Sequence, residues 1–244
     1  MNKDYLQNLI QYTYGIGCID IVKITGTDTE TKINSVDEQR TVVIYGSFST
    51  PIADFIGTFG MPNLSKLKTI LGFDDYDDTS TIEVLRGNAN DPEVPSAIHF
   101  ETINKDFIND YRLMTKNIIE NKIPDIVFHG SSWAVEFEPS IAGILRLKKQ
   151  ASANSEELNF RTRTENGDLK IYFGDHSSHS GNFVFQPNVS GKLTTDWNWP
   201  VKVFLSILDL PGDKTIRISN EGAVEITVDS GLAVYRYLVP ALSK

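Results

Sequence analysis

The sequence predicts an α+β fold of two similar domains, each an antiparallel assembly of strands carrying two short helices. Three observations predict it. Residues Trp133 to Gly174 read as strand, helix and hairpin in direct succession. The order helix then meander occurs twice in each half of the chain. Short runs of alternating apolar and polar residues recur throughout, separated by clusters of Gly, Asn and Asp.

In the first half, Lys3 to Tyr14 places Leu6, Leu9, Ile10 and Thr13 on one helical face, opposite Gln7, Asn8 and Gln11, and Gly15 and Gly17 end it. Cys18 to Thr25, Thr29 to Asn34 and Arg40 to Ser47 alternate or are β-branched, with Gly26-Thr27-Asp28 and Val36-Asp37-Glu38 as turns, so they form a meander. Ile52 to Phe59 is a further strand. Met61-Pro62-Asn63 opens a helix through Leu71 that turns Leu64, Leu67, Ile70 and Leu71 inward and Ser65, Lys66 and Thr69 outward. Asp74 to Asp78 is an acidic turn without the oxygen-ligand spacing of a calcium loop, and strands follow at Ser80 to Arg86 and Ala97 to Thr102. Lys105 to Lys122 reads as a polar helix, and the Ile123-Pro124-Asp125 after it as a connector. The expected domains are residues 1–104 and 133–244, with 105–132 between them.

In the second half, Ala134 to Glu138 alternates, and Pro139 suits a first helical turn. Ile141, Ile144, Leu145 and Ala151 share one face of the helix, while Arg146, Lys149 and Gln150 share the other. Glu165-Asn166-Gly167-Asp168 joins two alternating runs, Leu158 to Thr164 and Leu169 to Phe173, as a hairpin. Asn182 to Gln186 is a strand, Asn188 to Asn198 a loop, and Pro200 to Leu208 a short helix with Lys202 and Ser206 on its polar side. Thr215 to Ser219, Ala223 to Val228 and Ala233 to Val239 close the chain as strands.

With 244 residues, 40% hydrophobic, the chain has core enough for one large domain or two smaller ones. Its one cysteine, Cys18, excludes an internal disulfide and a cysteine-rich zinc site. Neither a signal peptide nor an apolar run of about 20 residues is present, so the expectation is a soluble cytoplasmic protein, in a host cell if viral, with no membrane partner. The formal net charge is −9, yet the four helices at 3–14, 62–71, 139–153 and 201–208 carry +6 between them, which leaves −15 for the rest. Cations gathered on helices of an acidic chain suit a polyanion held without sequence reading.

Sites for chemistry are few. Asp175, His176 and His179 lack a third metal ligand, and His99 and His129 have no nucleophile or carboxylate partner in the sequence. The glycines at 15–17 and 57–60 lack the spacing of phosphate loops, and Ser131 and Ser132 lack the glycine flanks of a nucleophile elbow. The expectation is a binding protein, with no cofactor, no metal and no catalytic residue.

The C-terminal run Gly222-Ala223-Val224-Glu225-Ile226-Thr227-Val228, followed by Gly231 to Ala241, resembles the closing strands of DNA polymerase sliding clamps. Clamps related to proliferating cell nuclear antigen end in a similar Tyr-Leu-x-Pro strand, here Tyr237-Leu238-Val239-Pro240. The strand, helix and hairpin after Trp133 look like the start of a second clamp domain, and the layout is most similar to the T-even phage type. The resemblance covers most of residues 1–104 and 133–244; Lys105 to Ser132 departs from it in length.

The resemblance implies a processivity factor of the clamp fold. Chains of this length assemble head to tail as homotrimers, encircle duplex DNA without sequence preference, tether a replicative DNA polymerase and are loaded by an ATP-driven clamp loader. It implies that Lys66, Arg146, Lys149 and Lys202 face the DNA, with Lys68 and Lys148 at the edges of their helices. Helical spacing places Lys148 near Ile141 and Ile144, which asks it to snorkel. Partner peptides would dock against Tyr237, Val239 and Pro240, with Ile126 and Phe128 on the connector, and Asn182 to Gln186 would pair with Ala97 to Thr102 of the next subunit. The competing readings are a β-rich virion protein and a hydrolase built on His176 or His179.

Overall fold

A computed structural model describes residues 1–87, 93–124, 128, 130–175 and 179–242. Two compact units emerge. One comprises Met1–Glu38, Ile44–Val127 and Ser230–Tyr235, the other Gln39–Val43, Phe128–Asp229 and Arg236–Lys244.

The first unit begins with helix α1 (Lys3–Tyr12), capped by the Asn2 side chain, and a 3₁₀ turn at Tyr14–Ile16. Strands β1 (Ile21–Gly26), β2 (Thr31–Val36) and β3 (Val43–Phe48) follow. Ala53–Phe55 is a 3₁₀ turn, so only β4 (Gly57–Pro62) is extended where the sequence suggested one strand over Ile52 to Phe59. Helix α2 (Leu64–Leu71) buries the four predicted residues, Leu64, Leu67, Ile70 and Leu71. Strands β5 (Thr81–Arg86), β6 (Pro95–Glu101) and β7 (Ile108–Arg112) and helix α3 (Lys116–Lys122) complete the unit.

One sheet has the order β4-β1-β2-β3, with the opening residues of the final strand, β15 (Ala233–Pro240), beside β3. The other is β5-β6-β7. The rings of Tyr12 and Tyr235 stack at 4.9 Å, and the Tyr235 hydroxyl donates to Asn8 Oδ1 at 2.8 Å. Asn8 is therefore buried, against its polar-face assignment, because its carbonyl meets the needs of a phenol in the core.

Lys105 to Lys122 is not a single helix. Its first part is β7, antiparallel to β6, with His99 opposite Asp110, and its last part is α3, whose Ile119 is fully buried. Between them Met114 exchanges backbone hydrogen bonds of 2.9 and 2.7 Å with Gly60 of β4. The predicted pairing of Asn182 to Gln186 with Ala97 to Thr102 of a neighbour is also corrected: β6 is bonded on one side to β5 and on the other to β7, so it has no edge to offer. Among the described residues, β7 pairs with β6 alone and is, like β5, an edge strand of this sheet.

The second unit holds β8 (Trp133–Phe137), helix α4 (Ile141–Ala153), β9 (Asn159–Glu165), β10 (Asp168–Phe173), β11 (Gly181–Gln186), β12 (Asn198–Pro200), helix α5 (Val201–Leu208), β13 (Asp213–Ser219), β14 (Ala223–Asp229) and the end of β15. Its sheets run β11-β10-β9-β12 and β8-β13-β14, the latter joined by the end of β15. Asn166 and Gly167, with φ of 52° and 86°, make the hairpin turn that the sequence predicts. Phe160, Phe173, Trp199 and Phe204 fill the core, and Trp199 Nε1 donates to Thr162 Oγ1 at 3.0 Å.

Helix α4 corrects the predicted face. Its buried residues are Gly143 and Leu147, whereas Ile141 is 79% and Leu145 50% exposed. A Cβ on Gly143 would lie 2.4 Å from the Phe185 carbonyl oxygen, so only glycine lets α4 come this close to β11. On an open helix surface Gly→Ala stabilises by about 1 kcal/mol. Gly143→Ala is expected instead to destabilise by about 1 to 3 kcal/mol, the cost of overpacking. Urea unfolding measures it, and an unchanged or raised midpoint would contradict the close approach.

Candidate nucleic-acid interface

In the first unit, α2 is anchored by its apolar face and started by Asp20, whose carbonyl accepts the Leu64 amide at 3.2 Å and whose carboxylate faces the Ser65 amide at 3.4 Å. The 3.6-residue period that buries Leu64, Leu67 and Ile70 leaves Lys66 and Lys68 exposed. Lys68 Nζ lies 5.5 Å from the centroid of the Tyr14 ring, a cation–π contact that steadies it. Lys66 has no ion-pair partner among the described residues.

In the second unit, Ser140 caps α4 by accepting the Gly143 amide at 3.0 Å. With Gly143 and Leu147 against the sheet, Arg146, Lys148 and Lys149 are all exposed. Arg146 Nη1 reaches the Val184 carbonyl at 3.4 Å. Lys148 does share its face with Ile141 and Leu145, but that face is open, so it has no need to snorkel; its Nζ pairs with Asp209 Oδ1 at 2.5 Å. Lys149 has no ion-pair partner among the described residues. Helix α5 buries Phe204, Ile207 and Leu208, with Phe204 edge-on to Phe160 at 5.0 Å, and exposes Lys202. Thus all six predicted cations stand on exposed helical surface, two on one unit and four on the other.

The residues assigned to a partner site divide. Tyr237 and Val239 alternate inward on β15 and have no exposed surface, whereas Pro240 is exposed. Phe128 is half-buried, its ring 6.0 Å from that of Trp133. Ile126 lies outside the described residues, as do His129 and His176.

No group of three or more His, Cys, Asp or Glu is gathered as metal ligands among the described residues. Ser131 Oγ bonds to Ser219 Oγ at 2.5 Å and to Glu221 Oε2 at 2.7 Å, so it serves as a link to β13 and the turn after it. Among the described residues, no helix is long and apolar enough to cross a membrane.

The sequence pattern gives His99 no carboxylate partner, yet the β6–β7 register brings it Asp110, and Glu101 lies two residues along the same strand. Its Nδ1 lies 2.7 Å from Asp110 Oδ1 and its Nε2 3.4 Å from Glu101 Oε2. The hydrogen bond to Asp110 raises the His99 pKa, against a smaller opposing effect of burial, with Glu101 adding to the rise. A proton held more tightly in the folded state stabilises it fully below the unfolded histidine pKa, and that contribution disappears as pH rises through the folded value. Thermal stability is therefore expected to fall through this window, and His99→Gln to flatten that part of the profile. Equal pH profiles for the two proteins would contradict the assignment.

Comparison with solved structures places these two units in a known fold. PCNA of A. fulgidus, solved with the C-terminal region of FEN-1 bound, matches with a TM-score of 0.70 at 12% identity over 100% of this chain and 97% of that one. PCNA of Thermococcus kodakaraensis matches at 0.65 and 13%, over 98% and 95% of the two chains, and that of Entamoeba histolytica at 0.65 and 13%, over 99% and 94%. No protein-family model and no curated protein sequence matches the chain. The chain has the clamp fold.

Proposed function

We propose that this chain is a sliding clamp: three copies close head to tail around duplex DNA and hold a replicative DNA polymerase on its template, loaded by an ATP-driven clamp loader. The observation that carries the reading is the clamp fold combined with cations on the exposed faces of α2, α4 and α5 in a chain of net charge −9. The likeness of fold favours it over a β-rich virion protein, which gives no reason for those cations. The element order is the ground for assigning the T-even phage type. We assign the chain no catalytic step.

Lys66, Arg146, Lys149 and Lys202 are the proposed phosphate contacts, with Lys68 and Lys148 beside them. Such contacts attract any sequence equally and leave a ring free to slide, because escape then depends on opening an interface. Mutating Arg146 and Lys149 together to Glu is expected to weaken binding of a random-sequence duplex at low salt by more than about tenfold and to lower the salt slope by about two. Unchanged binding, measured by anisotropy with the mass of the assembly monitored, would sink this reading.

Ring closure by unlike edges is supported by two strands that stand at sheet edges. One is β7, with Ile108 50% exposed and Phe107 and Ile103 exposed just before it. The other is β11, the edge of its sheet, over which α4 presents Ile141 and Leu145. We propose that β7 of one copy adds to β11 of the next, a heterologous contact that closes when the rotation permits. Ile108→Pro removes a β7 amide that points away from β6 and is expected to dissociate the assembly to monomers in sedimentation; an intact assembly would remove β7 from the interface.

For partners, the bound FEN-1 segment of the A. fulgidus protein supports a peptide-docking role. Pro240 and Phe128 would make direct contact, with Tyr237 and Val239 supporting the strand from beneath. The clamp domains are proposed to run to Lys122 and from 133, the connector shrinking to the residues between.

A further inference from the structure

Helix α5 ends on an acid where the helix itself favours a cation. Asp209 is the C-terminal cap, its amide donating to the Leu205 carbonyl at 2.9 Å, and the partial negative charge of a helix C-terminus repels a carboxylate there. The carboxylate is instead occupied by Lys148 of α4, 2.5 Å away, with Lys214 near enough to feel its charge. The pair is open to solvent, Lys148 being 43% and Asp209 50% exposed, so it is weak and readily exchanged. It lies on the same two helices as Arg146, Lys149 and Lys202.

We propose that Asp209 is a built-in competitor for phosphate: by holding Lys148 it removes one cation from the DNA-facing surface and limits how firmly the ring grips the duplex. A carboxylate and a phosphate oxygen offer Lys Nζ the same charge-assisted bond, so Lys148 engages one or the other. A clamp gains from this restraint, since every additional phosphate contact adds attraction that sliding must continually break. The proposal rests on the DNA-binding reading above and names a residue that tunes it.

The test uses the full-length chain and a random-sequence duplex, with affinity measured across a salt series for the wild type, Asp209→Asn, Lys148→Gln and the double variant. Asp209→Asn frees Lys148 and is expected to tighten binding roughly threefold to tenfold at low salt and to steepen the salt slope by about one. The gain is expected to need Lys148: Asp209→Asn made in the Lys148→Gln background is expected to change affinity and salt slope far less than Asp209→Asn alone. Wild-type affinity and slope in Asp209→Asn, weaker binding in that variant, or an equal gain when Asp209→Asn is made in the Lys148→Gln background would each overturn the proposal. In those cases a loss of binding with Arg146 and Lys149 both changed to Glu leaves the DNA reading standing, whereas unchanged binding there removes the reading itself.

Discussion

The surface of the second unit depends on one close contact, the approach of α4 to β11 at Gly143. Because that residue has no side chain, the helix backbone comes near the Phe185 carbonyl and Leu147 becomes fully buried. The rotation of the helix is then fixed. Lys148 and Lys149 must face away from the sheet, and so must Ile141 and Leu145, while Arg146 lies on the flank with its Nη1 reaching the Val184 carbonyl. A bulkier residue at 143 would push the helix outward or turn it, and cationic and apolar faces would move together. The same contact therefore sets both the basic surface and the exposed apolar residues of the helix.

In the proposed clamp, charge gives that geometry a purpose. An acidic chain that places its helical cations on exposed surface, and leaves Lys66 and Lys149 without ion pairs among the described residues, keeps its positive potential available to a polyanion. Phosphate contacts of this kind are sequence-blind and salt-sensitive, which is the attraction a ring needs if it is to hold a duplex and still move along it. Where an acid does stand among these cations, at Asp209, it pairs with Lys148, the contact through which it is proposed to moderate the attraction.

Much of this was legible in the sequence, and the failures have physical causes. The α2 face could be read because all four of its inward residues are large aliphatics at helical spacing. The α4 face was misread because glycine carries no hydrophobic signal, although it decides which side of the helix meets the sheet. Lys105 to Lys122 looked helical because β7 is an edge strand: only Tyr111 is buried, so the alternation that marks a strand is nearly absent. The burial of Asn8 and the bond of His99 to Asp110 depend on residues 227 and 11 positions away, joined by packing and by strand register. Tyr237 and Val239 were placed on a binding surface by likeness of motif, yet the alternation along β15 turns them inward.

The account stands on a closed assembly whose hole is lined by these helices, and the mass of the particle in solution tests that most directly. Sedimentation equilibrium at micromolar concentration is predicted to return three times the 27.3 kDa chain mass, independent of salt in the range where DNA binding changes. A particle that stays at one chain mass over that concentration range would contradict the ring, and with it the reason for the cations to stand where they do.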